Sequence, residues 1–92
     1  MKLDIVTPEG ALFSGEIEAI VVPGVNGTFE MLENHAPIIA ILTKGDIRIK
    51  GQNILIDEEV ADKFKIGKDE VVLPINSGTV EMKNNQVIVL AE

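Results

Sequence analysis

The chain contains no cysteine, tryptophan or tyrosine, only three phenylalanines and a single histidine. Without cysteine it has no disulfide, no thiolate metal ligand and no thiol nucleophile. One histidine, His35, cannot build a multi-histidine metal site, nor a Ser-His-Asp triad with a base to spare. Few aromatic rings are available to stack on a sugar. These absences weigh against most catalytic classes and against carbohydrate binding.

Positive charge and long apolar runs are also scarce. Lys and Arg number 8 against 15 Asp and Glu, which gives a formal net charge of -7. This balance disfavours binding to nucleic acid or to anionic lipid. No apolar run approaches the ~20 residues of a membrane span, and Asp4 interrupts the stretch that a signal peptide would need. The sequence predicts a soluble, cytoplasmic protein that neither binds nucleic acid nor inserts into a membrane.

What the chain does contain is a β pattern. Apolar residues recur with a period of two, most cleanly from Asp46 to Lys50, and turn signals follow one another roughly every six to ten residues. The clearest turns are Pro8-Glu9-Gly10, Asn26-Gly27 and Asn84-Asn85. With 46% hydrophobic residues in 92, the chain is long enough to bury one core. We predict a mainly β protein with a single domain spanning residues 1–92.

The segment Gly51–Glu70 admits two interpretations. Residues Asp57–Phe64 fit a short helix capped by Asp57, with acids at its start and a lysine near its end. Two short strands, Ile54–Ile56 and Phe64–Ile66, fit the same residues. The glycine-containing turns on either side of the segment favour the strands.

Carboxylate pairs are the best candidates for catalysis, and they are weak ones. Glu16 and Glu18 would share one face of a strand, as acid–base pairs sometimes do. A solvated outer face is the commoner reason for such a pair, by roughly nine to one. Gly24–Gly27 lacks the lysine and the following helix of a nucleotide loop. We therefore expect no catalytic, cofactor or metal site, and a small carboxylate-dependent enzyme is the third of three hypotheses.

The Asn26-Gly27 turn offers a surface for a partner instead. On the strand that follows it, Phe29 and Met31 alternate with Thr28 and Glu30. We expect the first two to be core residues, by about two to one, which leaves Thr28 and Glu30 for contact. The second hypothesis is accordingly a stand-alone β-sandwich module that binds a peptide or a carbohydrate at this turn.

The first hypothesis comes from an ordered set of motifs. The run Ile20–Pro37, IVVPGVNGTFEMLENHAP, follows Val6-Thr7-Pro8-Glu9 and Phe13-Ser14-Gly15-Glu16. In this order the motifs resemble the amino-terminal β-sandwich domain of the epsilon subunit of F-type ATP synthases. Asn76–Met82 is similar to that family's Gly-containing turn and Val-Glu-Val strand. The likeness covers most of the chain outside Lys50–Pro74.

The resemblance implies a flattened, two-sheet β-sandwich of about ten strands at the foot of the central stalk. There it would contact the gamma subunit and the ring of c subunits, on the cytoplasmic face of the plasma membrane. It implies a peripheral, non-catalytic rotor subunit that helps couple proton transport to ATP synthesis. Rigidity, which close packing supplies, would be its useful property.

The resemblance also assigns roles to residues. Contact with the c-ring is implied for the turn and the start of the next strand: Asn26, Gly27, Thr28, Phe29 and Glu30. Positioning of that end is implied for a corner expected nearby: Asn34, His35, Ala36 and Pro37. His35 is expected to bond to backbone within this corner. Contact with gamma is implied for four residues: Ile38, Ile39, Ser77 and Gly78.

Two departures from the family pattern change these expectations. Glu30 stands where many members have glycine, which adds an acid to the expected ring contact. Most members continue past the position of Ala91-Glu92 into a two-helix hairpin, whereas the sequence ends at Glu92. We therefore expect a natural short form that neither binds ATP nor inhibits hydrolysis through such helices.

Overall fold

The computed structural model describes all residues from Met1 to Glu92 and is mainly β. Its strands are β1 (Lys2–Thr7), β2 (Gly10–Glu16), β3 (Ala19–Gly24), β4 (Gly27–Leu32), β5 (Ile38–Leu42), β6 (Gly45–Lys50), β7 (Lys65–Ile66), β8 (Glu70–Ile75), β9 (Gly78–Lys83) and β10 (Gln86–Ala91). One 3-10 helix, Glu58–Lys63, lies between β6 and β7. The prediction of about ten strands is confirmed.

The strands form two five-stranded halves. The first half has the order β2-β1-β10-β9-β5, and the second has the order β4-β3-β6-β8-β7. Neighbouring strands are antiparallel except β1 and β10, which run parallel. The halves join where Gly24 of β3 pairs with Leu42 of β5. The sheet curls over at this junction, so that the two halves become the layers of a sandwich.

The core fills the space between the two layers. It is one cluster of 21 buried hydrophobic residues, drawn from strands of both halves. Leu3 and Ile5 of β1 are fully buried, as are Ile47 and Ile49 of β6, while the residues between them are more exposed. The period of two in these strands therefore identified their inward faces correctly. No polar or charged residue is buried, so the contact between the layers inside the core is entirely apolar.

Both predicted asparagine turns are present. Asn84 and Asn85 connect β9 to β10 with φ of 53° and 59°, the positive values that a type I′ hairpin turn requires. The β3–β4 turn is shifted by one residue from the expected position. Its two central residues are Val25 and Asn26, between the paired Gly24 and Gly27.

The segment between β6 and β8 corrects a prediction. No strand forms at Ile54–Ile56, and only Lys65–Ile66 is extended in a sheet. The 3-10 helix begins after Asp57, whose carboxylate accepts a hydrogen bond from the Glu59 backbone N–H at 3.0 Å. Ile54 and Ile56 are half-buried against the core. The glycine-containing turns therefore do not enclose two strands here, and the short helix capped by Asp57 was the better interpretation of the segment.

Candidate interaction surface

The outer surface of the first half carries a concentration of exposed apolar side chains. The chain has nine large hydrophobic residues that are exposed, and five of them lie on this surface. They belong to β1, β5 and β10 and are termed here the apolar patch: Val6, Ile39, Ile41, Ile88 and Leu90. Ile39 is 74% exposed and Ile41 is 63% exposed. A concentration of exposed apolar side chains on one surface is typical of interaction sites.

The strand register arranges the apolar patch in two rows across the sheet. One row reads Ile41, Thr79, Leu90 and Val6, and the other reads Ile39, Glu81, Ile88 and Asp4. Residues paired across adjacent strands lie about 5 Å apart, so each row is a continuous strip. The first row contains no charge. The second row contains two acids, Asp4 and Glu81. The apolar patch is therefore accompanied by negative charge along its second row only.

The outer surface of the second half is different, because it carries two charged pairs and, on β4, one large exposed apolar residue, Leu32. Lys50 Nζ lies 3.1 Å from Glu30 Oε2, and Arg48 Nη1 lies 3.2 Å from Glu70 Oε2. Exposed pairs of this kind contribute only about 0 to 1 kcal/mol to stability. They do keep this surface hydrophilic. Of the two outer surfaces, the first is the better suited to a dry protein contact.

The residues expected at the ring contact differ in the direction of their side chains and in their exposure. Thr28 and Glu30 point outward, and Glu30 pairs with Lys50. Phe29 is half-buried against the core, and Met31 is fully buried. The expectation that Phe29 and Met31 are core residues is confirmed. The exposed residues of this segment that have no side-chain partner are therefore those of the turn and Thr28.

A shallow depression connects that turn to the apolar patch. Val25, Asn26 and Thr28 border it on one side, and Ile39 and Ile41 of β5 border it on the other. The Val25 backbone N–H donates to the Ile41 carbonyl at 3.0 Å, which fixes the turn against β5. The structure thus places residues expected at the ring contact beside residues expected at the gamma contact.

The Asn34–Pro37 corner is not near the β3–β4 turn, and the expectation that it is was wrong. The six residues of β4 separate the two. At about 3.3 Å per residue, the separation along the strand is about 20 Å. The corner instead meets the β9–β10 turn at the other end of β5.

Two asparagines join the corner to the β9–β10 turn. The Asn34 backbone N–H donates to Asn85 Oδ1, and Asn85 Nδ2 donates to Asn34 Oδ1 at 2.8 Å. Next to this link, His35 Nδ1 donates to the Ala36 carbonyl at 2.7 Å. The prediction that His35 bonds to backbone is confirmed. Sequence reasoning missed the role of Asn85, because its partner lies 51 residues away.

Of the four residues expected at the gamma contact, three lie on or beside the apolar patch: Ile39, Ser77 and Gly78. Ile39 belongs to it, whereas Ile38 is half-buried on the inward side of β5. Ser77 and Gly78 line a groove with Val6 and Leu90. Gly78 also has a packing role, because a Cβ at this position would collide with the Leu90 carbonyl oxygen.

The remaining candidate, the Glu16 and Glu18 pair, is exposed at the end of β2 and in the connection that follows. No three His, Asp or Glu side chains are grouped so that they could hold a metal ion. None of the helical segments has the length and apolar character needed to cross a membrane.

Comparison with known proteins identifies the family to which this chain belongs. The sequence model of the family described as ATP synthase, Delta/Epsilon chain, beta-sandwich domain matches residues 1–92. The chain therefore belongs to the family of ATP synthase delta and epsilon chains, as the β-sandwich domain of that family. Membership confirms the prediction of a non-catalytic subunit.

The family includes delta and epsilon chains, and the similar relatives are named epsilon chains. The ATP synthase epsilon chain of Chlorobaculum tepidum is 37% identical over 90 residues, which cover 98% of this chain and 86% of the relative. That of Chlorobium limicola is 34% identical, with 99% and 88% covered. The epsilon chain of Dehalococcoides mccartyi is 35% identical over the whole chain, which spans only 55% of that longer relative.

A solved structure supports the fold independently. A chain in the cryo-EM structure of the central stalk and c-ring of the Tetrahymena thermophila mitochondrial ATP synthase superimposes with a TM-score of 0.71. The superposition covers 99% of this chain and 62% of that one, at 14% sequence identity. The two chains share the fold although little of their sequence is the same.

Proposed function

We propose that this chain is a rotor subunit of an F-type ATP synthase that links the gamma subunit to the c-ring and so couples proton transport to ATP synthesis. In this role it lies peripherally on the cytoplasmic face of the plasma membrane. The observation that carries the proposal is the apolar patch on one outer surface of a rigid sandwich. Its likeness to epsilon chains supplies the context.

The apolar patch is proposed as the gamma contact. Its side chains come from strands of one sheet, so they are held in fixed positions before a partner arrives. Ile39 and Ile41 are more than half exposed. Covering each of them would contribute about 1 to 2 kcal/mol. Ser77 and Gly78, at the rim of the adjoining groove, complete this contact.

The β3–β4 turn is proposed as the ring contact. Asn26, Gly27 and Thr28 are exposed there and present polar groups and backbone. Phe29 supports the turn from below, since it packs against the core. Glu30 contributes its charge beside the contact while it is paired with Lys50.

The corner has a different proposed role from the one that the sequence suggested. Asn34, His35, Ala36 and Pro37 lead directly into β5, which carries Ile39 and Ile41. The bonds between Asn34 and Asn85 hold this approach against the β9–β10 turn. The corner therefore positions the gamma contact rather than the ring contact.

Calorimetric titration with the cognate gamma subunit tests the gamma contact. We expect binding at micromolar affinity or tighter, and a loss of about 100-fold or more in Ile39→Glu/Ile41→Glu, because a charge would be buried in an apolar interface. Leu55→Glu is the matched control, since Leu55 is 84% exposed and lies outside the patch. No binding at about 100 micromolar by the folded chain, equivalent to about -5.5 kcal/mol, would favour a stand-alone binding module.

Reconstituted vesicles test the ring contact. Thr28→Ala/Glu30→Ala is expected to reduce ATP-driven proton pumping while gamma binding is retained. Arg48→Ala/Glu70→Ala removes an ion pair of similar strength from the same outer surface and serves as the control. Equal pumping by the two variants would show that the turn does not contact the ring.

A further inference from the structure

The chain has six asparagines, and Asn26 is the one that precedes a glycine. It is exposed at the end of the β3–β4 hairpin, as is Gly27. We propose that Asn26 is a site of spontaneous deamidation, which converts it to aspartate and isoaspartate and adds a negative charge to the turn. Asparagine is among the chemically labile residues, and exposed loop tips are where local opening is least costly.

The chemistry needs no group beyond the chain and water. The Gly27 backbone nitrogen attacks Cγ of Asn26, a C–N bond forms, and the side-chain nitrogen leaves as ammonia. Water then adds to either carbonyl of the resulting succinimide ring. Opening of one C–N bond gives aspartate, and opening of the other gives isoaspartate, in which the main chain runs through the former side chain.

The local structure favours this attack at Asn26. Gly27 has no side chain to shield its nitrogen, and no atom lies within 4 Å of the position that a Cβ would take. Its φ of 126° is available to glycine at little cost, so the turn can rearrange around it. The Asn26 side chain makes none of the hydrogen bonds found for Asn34 and Asn85.

The reaction requires the Gly27 nitrogen to be released from its backbone pairing, and the position of the turn keeps the free energy of that local opening small. Gly24 and Gly27 form the last pair of the β3–β4 ladder. Freeing the Gly27 nitrogen therefore disrupts one terminal pair and leaves the remaining pairs in place. Such fraying of a hairpin end needs far less free energy than global unfolding.

The other asparagines are less favourably placed. Asn34 and Asn85 have their side chains bonded to each other. The Asn76 N–H donates to the Glu92 carbonyl at 2.9 Å and the Ser77 carbonyl accepts from the Glu92 N–H at 3.0 Å, so the backbone is restrained on both sides of the Asn76–Ser77 peptide bond. Asn53 precedes the branched Ile54, and the remaining one, Asn84, precedes another asparagine.

Peptide mapping of the full chain tests the modification without any partner. The folded chain is incubated at mildly alkaline pH, and aspartate and isoaspartate are quantified at each of the six positions over time. We expect conversion at Asn26 to be about tenfold faster than at any other position, because it combines exposure with a following glycine. Asn26→Gln should remove the product at this position and leave the rest of the map unchanged.

A urea-denatured sample provides the reference rate for the flexible chain. The proposal is overturned if Asn26 converts in urea but stays intact in the folded chain over the same period, or if another asparagine converts equally fast. The effect on ring contact rests on the proposed function and has its own readout. Asn26→Asp should reduce ATP-driven pumping, and normal pumping together with confirmed deamidation would count against the ring contact only.

Discussion

At the scale of single residues, Asn85 has two structural roles, and its neighbours in the sequence indicate only one of them. The turn was predictable, whereas the bonds to Asn34 were not. The φ of 59° at Asn85 allows the β9–β10 turn to form, and its side chain forms two hydrogen bonds with Asn34 that hold the corner in place. Asparagine tolerates a left-handed backbone better than most residues do and also carries both a donor and an acceptor. Few other side chains could meet both requirements.

Asn85 variants separate these two roles. Asn85→Ala should lower the free energy of unfolding by about 1 to 3 kcal/mol, because it adds left-handed strain and removes the bonds to Asn34. Asn85→Gly removes only the bonds and should cost less. Asn84→Gly, at the neighbouring position with φ of 53°, is the control and should be near neutral. Urea unfolding at constant m-value measures all three, and equal losses for Ala and Gly would argue against strain.

At the scale of elements, β5 and β6, which follow one another along the chain, use their isoleucines in opposite ways. The isoleucines of β6, Ile47 and Ile49, face the core. In β5 the isoleucines Ile39 and Ile41 face outward and belong to the apolar patch. Folding requires the first pair, whereas the second pair contributes little to the core and is available for a contact.

Alanine substitutions in the two strands should therefore differ in effect. Ile49→Ala removes buried methyl groups and should cost about 2 to 5 kcal/mol of stability. Ile39→Ala should change stability by less than about 0.5 kcal/mol, since its side chain is already in water. Thermal unfolding compares them, with roughly 4 to 8 °C expected for each kcal/mol. A large loss in Ile39→Ala would mean that the patch stabilises the fold itself.

The 3-10 helix depends on its N-cap residue, Asp57, more than on burial, because none of its own residues is fully buried. Asp57→Ala removes the hydrogen bond to the Glu59 N–H and should destabilise the chain by about 0.5 to 2 kcal/mol. Asp57→Ser keeps an acceptor and should remain within a few tenths of the parent value. Chemical denaturation measures the pair. Similar losses in both variants would point to the aspartate charge rather than the cap.

At the scale of the whole molecule, the two halves share one core and cannot be stable separately. Buried residues from both layers form the single cluster of 21. The halves are also joined by backbone pairing at Gly24 and Leu42. Each layer alone would expose its inward face to water, so loss of one should mean loss of the other.

Calorimetry tests this dependence. We expect a single transition whose calorimetric enthalpy equals the van't Hoff enthalpy. At about 0.7 kcal/mol per residue near 60 °C, the enthalpy should be roughly 60 to 65 kcal/mol. Two resolved transitions, or a van't Hoff value well below the calorimetric one, would show that the halves unfold independently.

The features that could be predicted from the sequence are those set by residues close together along the chain. The inward faces of β1 and β6 and the Asn84-Asn85 turn were predictable, since a period of two and a turn dipeptide are short-range patterns. The strand predicted at Ile54–Ile56 was wrong because flanking glycine turns do not show whether a partner strand is available. The outward direction of Ile39 and the link from Asn34 to Asn85 depend on register between distant strands, which periodicity does not encode.

The parallel pairing of β1 with β10 has a consequence for synthesis. β1 leaves the ribosome first, yet the strand that pairs with its inner edge is the last of the ten. At about 5 to 20 residues per second, the wait is roughly 4 to 18 s. During that time the nascent β1–β2 hairpin exposes Leu3 and Ile5, and a chaperone that shields them would raise the yield of native chain.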